Sequence, residues 1–399
     1  VHRRQRRPRG PRALAPRLIG GLLAVALSSA LAACAAPTAE APRPTTTPSV
    51  TASPELAVDP VEAEIEERLA AMSTRDKIAS LLMLHQPGTD GTALAEFMRS
   101  TGAGGFIVMG DNVGGSVDVL AGTTAALAVD PALPPLIGID EEGGIVARLD
   151  EDTLPAAEQL KTEAPDATKA AFAARADLVH RGGANLNFGI VADMTGDPDS
   201  FIFDRVYGST PEDTAARVEQ AVAGERGLVA STLKHFPGHG RSEADSHSEI
   251  PVTDVGYDEW RVTDAVPFER GVAAGAEAVM FGHLAYTSVD GQPASLSPRW
   301  HEILRTELHF DGLAVTDDML MLQHTDLPEF QDPVENGIRA ISAGNDVLVY
   351  VLAADPSVSG VDPYALIDGL TAAADSGRIL PEVLDEAARR VLAARIALR

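Results

Sequence analysis

The sequence predicts an α/β protein, a single (β/α)8 TIM barrel, and three observations predict it. Short apolar runs recur eight times after residue 60 of the 399-residue chain. Longer amphipathic stretches separate them, and most of the runs end in a side chain capable of chemistry. The runs are Ala79–Leu84, Gly105–Met109, Leu136–Ile139, Leu186–Val191, Ala230–Leu233, Ala278–Phe281, Leu313–Val315 and Val347–Leu352. Runs this short and this uniformly apolar read as strands covered on both faces, the pattern of a parallel sheet. Between them Gly91–Ser100, Val117–Ala128, Thr168–Arg181, Pro211–Gly224 and Val334–Ser342 read as helices. Eight such units in about 340 residues suit one closed barrel with its helices outside. An open doubly wound sheet would use the same elements. The run ends favour the barrel: His85, Asp111, Asp140, Asp193, Lys234 with His235, His283 and Asp317 follow the first seven runs in order. A barrel brings all such ends to one face, where an active site belongs.

The residues before the barrel carry an address. Residues 1–17 hold seven arginines and no acid, and an apolar run from Leu18 to Ala33 follows. A basic segment followed by a short apolar one is the pattern of a secretory signal peptide. The run ends in Leu31-Ala32-Ala33-Cys34, which resembles the lipobox of bacterial lipoproteins, where the cysteine is lipidated. Cys34 is the only cysteine in the chain, so it has no internal disulfide partner, and lipidation accounts for an unpaired thiol in an exported protein. The expected organisation is a leader over 1–33, a Pro/Thr/Ala-rich tether over 34–59 and one folded domain over 60–399. Without the seven leader arginines the formal charge moves from −26 to −33. Such a chain is repelled by nucleic acid and by anionic lipid, so a lipid anchor is the one membrane contact expected.

The densest signal is Lys234-His235-Phe236-Pro237-Gly238-His239-Gly240, followed by Asp245-Ser246-His247. It holds three of the ten histidines and one of only four lysines. His235 and His239 are four apart, a metal-pair spacing on a helix, but Pro237-Gly238 between them rules out a continuous helix, and no metal is expected. His239 reads as a buried hydrogen-bonding residue of a turn. Asp245 and His247 are two apart, so in an extended segment both point the same way. The carboxylate would then orient the imidazole and favour its protonated form, as a general acid requires. The second signal is Leu313-Ala314-Val315-Thr316-Asp317-Asp318, in which only one of two adjacent acids is expected to face the mouth of the barrel. The third is Asp140-Glu141-Glu142-Gly143-Gly144, with Arg148 beyond it; its paired glycines suggest a tight turn beside a ligand.

Together these segments resemble glycoside hydrolase family 3, and within it the single-domain β-N-acetylglucosaminidases that act on peptidoglycan fragments. The resemblance implies a (β/α)8 barrel and a retaining mechanism without cofactor or metal. Asp317 falls on the nucleophile, His247 on the acid/base and Asp245 on its carboxylate partner. Asp140, Arg148, Arg205, Lys234 and His235 fall on positions that hold the terminal sugar, with Arg205 placed by Phe203-Asp204-Arg205-Val206-Tyr207-Gly208. The implied substrates are N-acetylglucosamine-containing saccharides, cell-wall muropeptides among them. The implied location is the outer face of a bacterial cell membrane. Where the family has Asp-Gln-Glu-Gly-Gly-Arg-Val, this chain has Asp140-Glu141-Glu142-Gly143-Gly144-Ile145-Val146, and Glu141 and Ile145 are expected to alter the rim of the site. Two alternatives stay open on sequence: phosphorolysis of the same substrates, and a sugar-binding lipoprotein without activity.

Overall fold

The computed structural model describes residues 59–399. The leader, Cys34 and all of the tether but its last residue lie outside the described residues.

Eight parallel strands form one sheet: β1 Leu82–Leu84, β2 Gly105–Val108, β3 Leu136–Ile139, β4 Leu186–Val191, β5 Ala230–Phe236, β6 Ala278–Phe281, β7 Leu313–Thr316 and β8 Leu348–Tyr350. The order around the sheet is β8-β1-β2-β3-β4-β5-β6-β7. A parallel bridge between Val315 and Val347 joins the two outer strands and closes the ring. This is the (β/α)8 barrel the alternation predicts. Every residue of the eight strands is buried, because barrel side chains fill one face and helices cover the other. Gly138 in β3 makes room inside: a Cβ there would lie 2.8 Å from Phe188 and 2.9 Å from the Met83 sulfur.

Local chemistry sets the helix ends. Asp332 accepts the N–H groups of Val334 and Glu335, and Pro333 occupies the first turn, where its missing donor costs nothing. Asp362 and Pro363 start helix Pro363–Asp375 in the same way. The predicted boundaries differ from the observed ones at two informative places. Ala79–Leu84 spans a junction, since Ala79 and Ser80 end helix Thr74–Ser80 before β1 begins. Strand β5 continues beyond Leu233 to Phe236, so Lys234 and His235 belong to the strand itself. Outside β5 and β6, the rings of Phe236, Trp260, Phe268, Phe281 and Trp300 pack edge to face at centroid separations from 4.8 to 5.9 Å. Each such contact adds about 0.5–1.5 kcal/mol beyond burial, and together they anchor the strand that carries Lys234 and His235.

Candidate active site

At the C-terminal ends of the strands lies a pocket of about 380 Å³, in the size range of a small-ligand site. Asp140, Arg148, Arg205, Lys234, His235, His247 and Asp317 all line it. Asp245 does not line it and reaches it through His247. A cavity of about 420 Å³ at the opposite end of the barrel is lined mainly by apolar side chains such as Leu186, Leu228, Leu313 and Ala394. It offers no comparable cluster of charges, and that end of a barrel usually serves stability.

The pocket floor is a chain of paired charges. Lys234 Nζ donates to Asp140 Oδ1 at 2.9 Å and contacts Glu142 Oε1 at 2.6 Å, with only 2% of its side chain exposed. Arg148 Nη2 holds the other oxygen of Asp140 at 3.2 Å. Arg205 grips Glu142 through Nε at 2.9 Å and Nη2 at 2.7 Å. Burial alone would push both carboxyls up. Lys234 and Arg148 beside Asp140, and Arg205 and Lys234 beside Glu142, bring both down to about 2 instead. Burial opposes the charge on Lys234 as well, yet Asp140 and Glu142 keep it protonated. Breaking such a buried pair costs about 3–5 kcal/mol, so these groups hold the fold as well as the site.

His235 joins this floor to a buried support. Asp193 accepts the backbone N–H of His235 at 3.1 Å and that of His239 at 2.6 Å, and its Oδ2 lies 2.7 Å from His235 Nδ1. Burial, and then the Arg205 guanidinium, push the His235 imidazole well below its usual value. The ring is therefore neutral. Arg205 Nη2, which can only donate, lies 3.4 Å from Nε2; this places the ring proton on Nδ1, toward Asp193, with Nε2 as acceptor.

Both acids of the Asp317-Asp318 pair line the pocket, a correction to the expectation that only one faces the mouth. Their environments separate them. Asp317 Oδ1 accepts a single hydrogen bond, from the Asp318 N–H at 2.8 Å. Burial pushes its carboxyl up, but its surroundings, the Asp318 N–H and the Lys234 ammonium among them, outweigh it and hold it below its ordinary value. Asp318 Oδ1 is tied to the N–H groups of Val351 at 3.0 Å and Leu320 at 3.2 Å. Burial, reinforced by Asp317, pushes it up to about 7. One acid is an anion held beside open space; the other links the ends of β7 and β8.

His247 and Asp245 stand on the loop after β5. Asp245 Oδ1 accepts the His247 N–H at 3.0 Å and lies 2.6 Å from Nδ1. The pairing comes from a turn, with Ser248 and Glu249 donating to the Asp245 carbonyl, and not from an extended segment as expected. Burial raises the Asp245 carboxyl, but the backbone N–H and ring of His247 bring it below its ordinary value. The His247 side chain is 63% exposed, so it projects over the pocket from a solvent-facing loop.

Several readings are corrected here. His239 is buried, but neither ring nitrogen finds a partner; only its backbone N–H is bonded. The Gly143-Gly144 turn is tight as expected, with positive φ at both, and packing requires it: a Cβ on Gly143 would lie 2.2 Å from an Arg175 nitrogen, and neither glycine lines the pocket. Glu141 is buried and adds no charge to the rim; burial, and then Asp152, push its carboxyl up to about 8. Ile145 is 72% exposed, and its neighbour Val146, not Ile145, lines the pocket. His85, paired with Asp111 and the Leu352 carbonyl, and His283, bonded to Ser295 and the Asp318 carbonyl, lie outside it. Glu142 and Asp193 are the participants that sequence reasoning passed over. The signal was a lysine at a strand end in a lysine-poor chain, which requires carboxylates around it.

A charge-lined pocket at the C-terminal mouth of a (β/α)8 barrel, with an unencumbered carboxylate at the end of β7, is the arrangement of an enzyme active site. Residues 73–394 match the glycosyl hydrolase family 3 N-terminal domain, and the chain belongs to that family. It is 37% identical over 248 residues to a beta-hexosaminidase of Pseudomonas aeruginosa, covering 60% of this chain and 74% of that one. It superimposes with a TM-score of 0.74 and 29% identity on a glycoside hydrolase family 3 beta-N-acetylglucosaminidase of Paenibacillus, covering 82% of this chain and 63% of that one. A beta-N-acetylhexosaminidase of Beutenbergia cavernae gives a TM-score of 0.71 and 27% identity, covering 82% of this chain and 99% of that one.

Proposed function

We propose that the chain is a retaining exo-β-N-acetylglucosaminidase acting on peptidoglycan-derived saccharides. The observation that carries the reading is the pairing, on one pocket, of the ionised and sparsely bonded Asp317 with the His247–Asp245 couple. Asp317 attacks the anomeric carbon and the glycosidic C–O bond breaks. His247 gives its proton to the departing oxygen, and Asp317 becomes a glycosyl ester. Water then attacks the anomeric carbon, His247 takes back a proton, and the ester bond breaks to release the sugar and restore the carboxylate. Most retaining glycosidases use two carboxylates; here an imidazole with a carboxylate behind it takes the acid/base role. The floor of Asp140, Arg148, Lys234, Arg205 and His235 presents donors and acceptors to sugar hydroxyls. The amide on the sugar is supported by the hexosaminidase names of the relatives. Hydrolysis of an aryl β-N-acetylglucosaminide with little turnover of the matching glucoside is the expected result, measured with and without phosphate. Preference for the glucoside, or an unaltered N-acetyl substrate, would overturn the reading, and a sugar phosphate product would make the enzyme a phosphorylase.

The location belongs to the same proposal: export, lipid attachment at Cys34, and a tether to the barrel on the outer face of the cell membrane. Among the described residues no helix is long and apolar enough to cross a membrane. Cys34→Ser is expected to abolish labelling by a fatty-acid probe and release the protein from the membrane fraction. Unchanged retention would reject the anchor.

A further inference from the structure

The adjacent acids before the Gly143-Gly144 turn have opposite surroundings. Glu142 bonds to the cations of the pocket floor, whereas Glu141 is fully buried behind it. Glu141 Oε2 accepts the backbone N–H groups of Arg148 at 2.8 Å and Leu149 at 3.1 Å. No N–H or O–H donor reaches Oε1; the side chain that Glu141 meets is the Asp152 carboxyl. Asp152 is already engaged, with Oδ2 on Arg175 Nε at 2.6 Å and Oδ1 on the Leu154 N–H at 3.0 Å. Two carboxyl groups with no donor between them share a hydrogen bond only when one carries a proton. Asp152 has the guanidinium, which favours Glu141 as the carrier of the proton.

We propose that Glu141 is a positioning residue that works as a neutral carboxylic acid, fixing the main chain at Arg148 with one oxygen and donating its own proton to Asp152 with the other, so that its ionisation loosens the hold of Arg148 on Asp140 and weakens substrate binding. Ionised Glu141 and Asp152 would share one guanidinium, leaving a buried net negative charge, which is expensive. The Arg175 guanidinium is already on Asp152 through Nε, and its Nη1 has no partner. From β4, Asn187 bridges the Glu141 backbone to Glu225, a second acid, which burial pushes up to about 8. Arg175 spends Nη2 on the Pro155 carbonyl. On its own segment Glu141 meets Arg148 only through the main-chain N–H, because the guanidinium is turned to Asp140. The direction of its titration agrees, with burial and then Asp152 moving it up to about 8.

An acid whose folded value lies above its unfolded one favours the folded state at low pH, and that contribution is lost as pH rises from the unfolded value toward about 8. Glu141→Gln mimics the protonated acid at every pH: its carbonyl can accept from Arg148 and Leu149, and its amide can donate to Asp152. The expected result is an apparent KM for the wild type that rises about tenfold by about pH 9, when about one molecule in ten keeps the proton. In Glu141→Gln that rise is absent while KM near pH 6 is unchanged, and the kcat profiles of the two coincide. Glu141→Ala, which cannot hold Arg148, has a raised KM at all pH values. Comparing the two chains isolates Glu141 from Glu225, which both retain. Identical KM profiles in wild type and Glu141→Gln would overturn the proposal.

The kinetic arm rests on the pocket being the sugar site, so a second arm needs no substrate. The Tm advantage of Glu141→Gln over wild type is expected to widen from about pH 5 to about pH 9, and the infrared difference spectrum near neutrality to show the loss of one protonated carboxyl. A constant Tm gap with no lost carboxyl band would place the proton elsewhere and sink the proposal. Failure to cleave N-acetylglucosaminides, with both of those signatures present, would count against the proposed substrate alone.

Discussion

Asp317→Asn is expected to fold normally and lose about 10⁴–10⁶-fold in turnover, the scale of removing a nucleophile or its essential partner in a hydrolase. Folding survives because Asp317 Oδ1 accepts only the Asp318 N–H, and an asparagine carbonyl accepts it equally well. Chemistry does not survive, because an amide cannot form the glycosyl ester. The neighbouring acid cannot substitute. Asp318 spends Oδ1 on Val351 and Leu320, and burial with Asp317 alongside pushes it up to about 7, so near neutrality a large share is protonated. The check is a 2-fluoro glycoside that traps the intermediate in wild type, followed by peptide mapping. The label is expected on Asp317. A label on Asp318, or an Asp317→Asn variant with more than a trace of turnover after purification from a glycosidase-free host, would reject the assignment.

His247→Ala is expected to divide substrates by their leaving groups. General acid catalysis is worth about 10²–10⁴-fold, and that loss should fall on natural disaccharides, whose leaving oxygen departs as a poor alkoxide unless protonated. An activated aryl glycoside needs little protonation and should lose far less. Azide should then restore part of its turnover by attacking the intermediate without a base. The exposed position of His247 makes truncation harmless to the fold, so the loss reads chemistry and not stability. Asp245→Asn removes the anion behind Nδ1 while keeping a carbonyl that can accept the His247 N–H, so the same pattern should appear in weaker form. If His247 only holds the loop in shape, both classes of substrate suffer equally, and equal losses in a folded variant would end the acid/base reading.

Much of the architecture was legible because strands and helices of a barrel announce themselves locally. Eight short apolar runs, with Asp and Pro at helix starts, are direct consequences of burial and of unsatisfied N–H groups at helix ends. The chemistry-bearing residues at the run ends were legible for the same reason, since a barrel strand can place a polar side chain at the site only where its apolar stretch stops. Less legible was the direction in which each one points. His85 and His283 follow their runs as His235 does, yet both bond to carbonyl groups and neither lines the pocket. Local pattern carries no information about which partner waits across the sheet.

The sequence by itself determined the barrel, its eight-fold alternation, and that lysine, histidine and carboxylate chemistry would gather at one end. Tertiary structure alone decided how the acids divide their work. In Asp140-Glu141-Glu142 and in Asp317-Asp318, neighbours of the same type differ because long-range partners differ. Lys234 and Arg205 hold Glu142 ionised, while Glu141 faces only main-chain N–H groups and another carboxyl. Asp317 stands free beside the pocket, while the backbone N–H groups of Val351, just after β8, and of Leu320 bind Asp318. A carboxyl group's charge depends on the donors and cations within a few ångströms of it, and here Lys234 and Arg205 at Glu142 and the Val351 N–H at Asp318 come from residues tens of positions away in the chain, out of reach of any local reading.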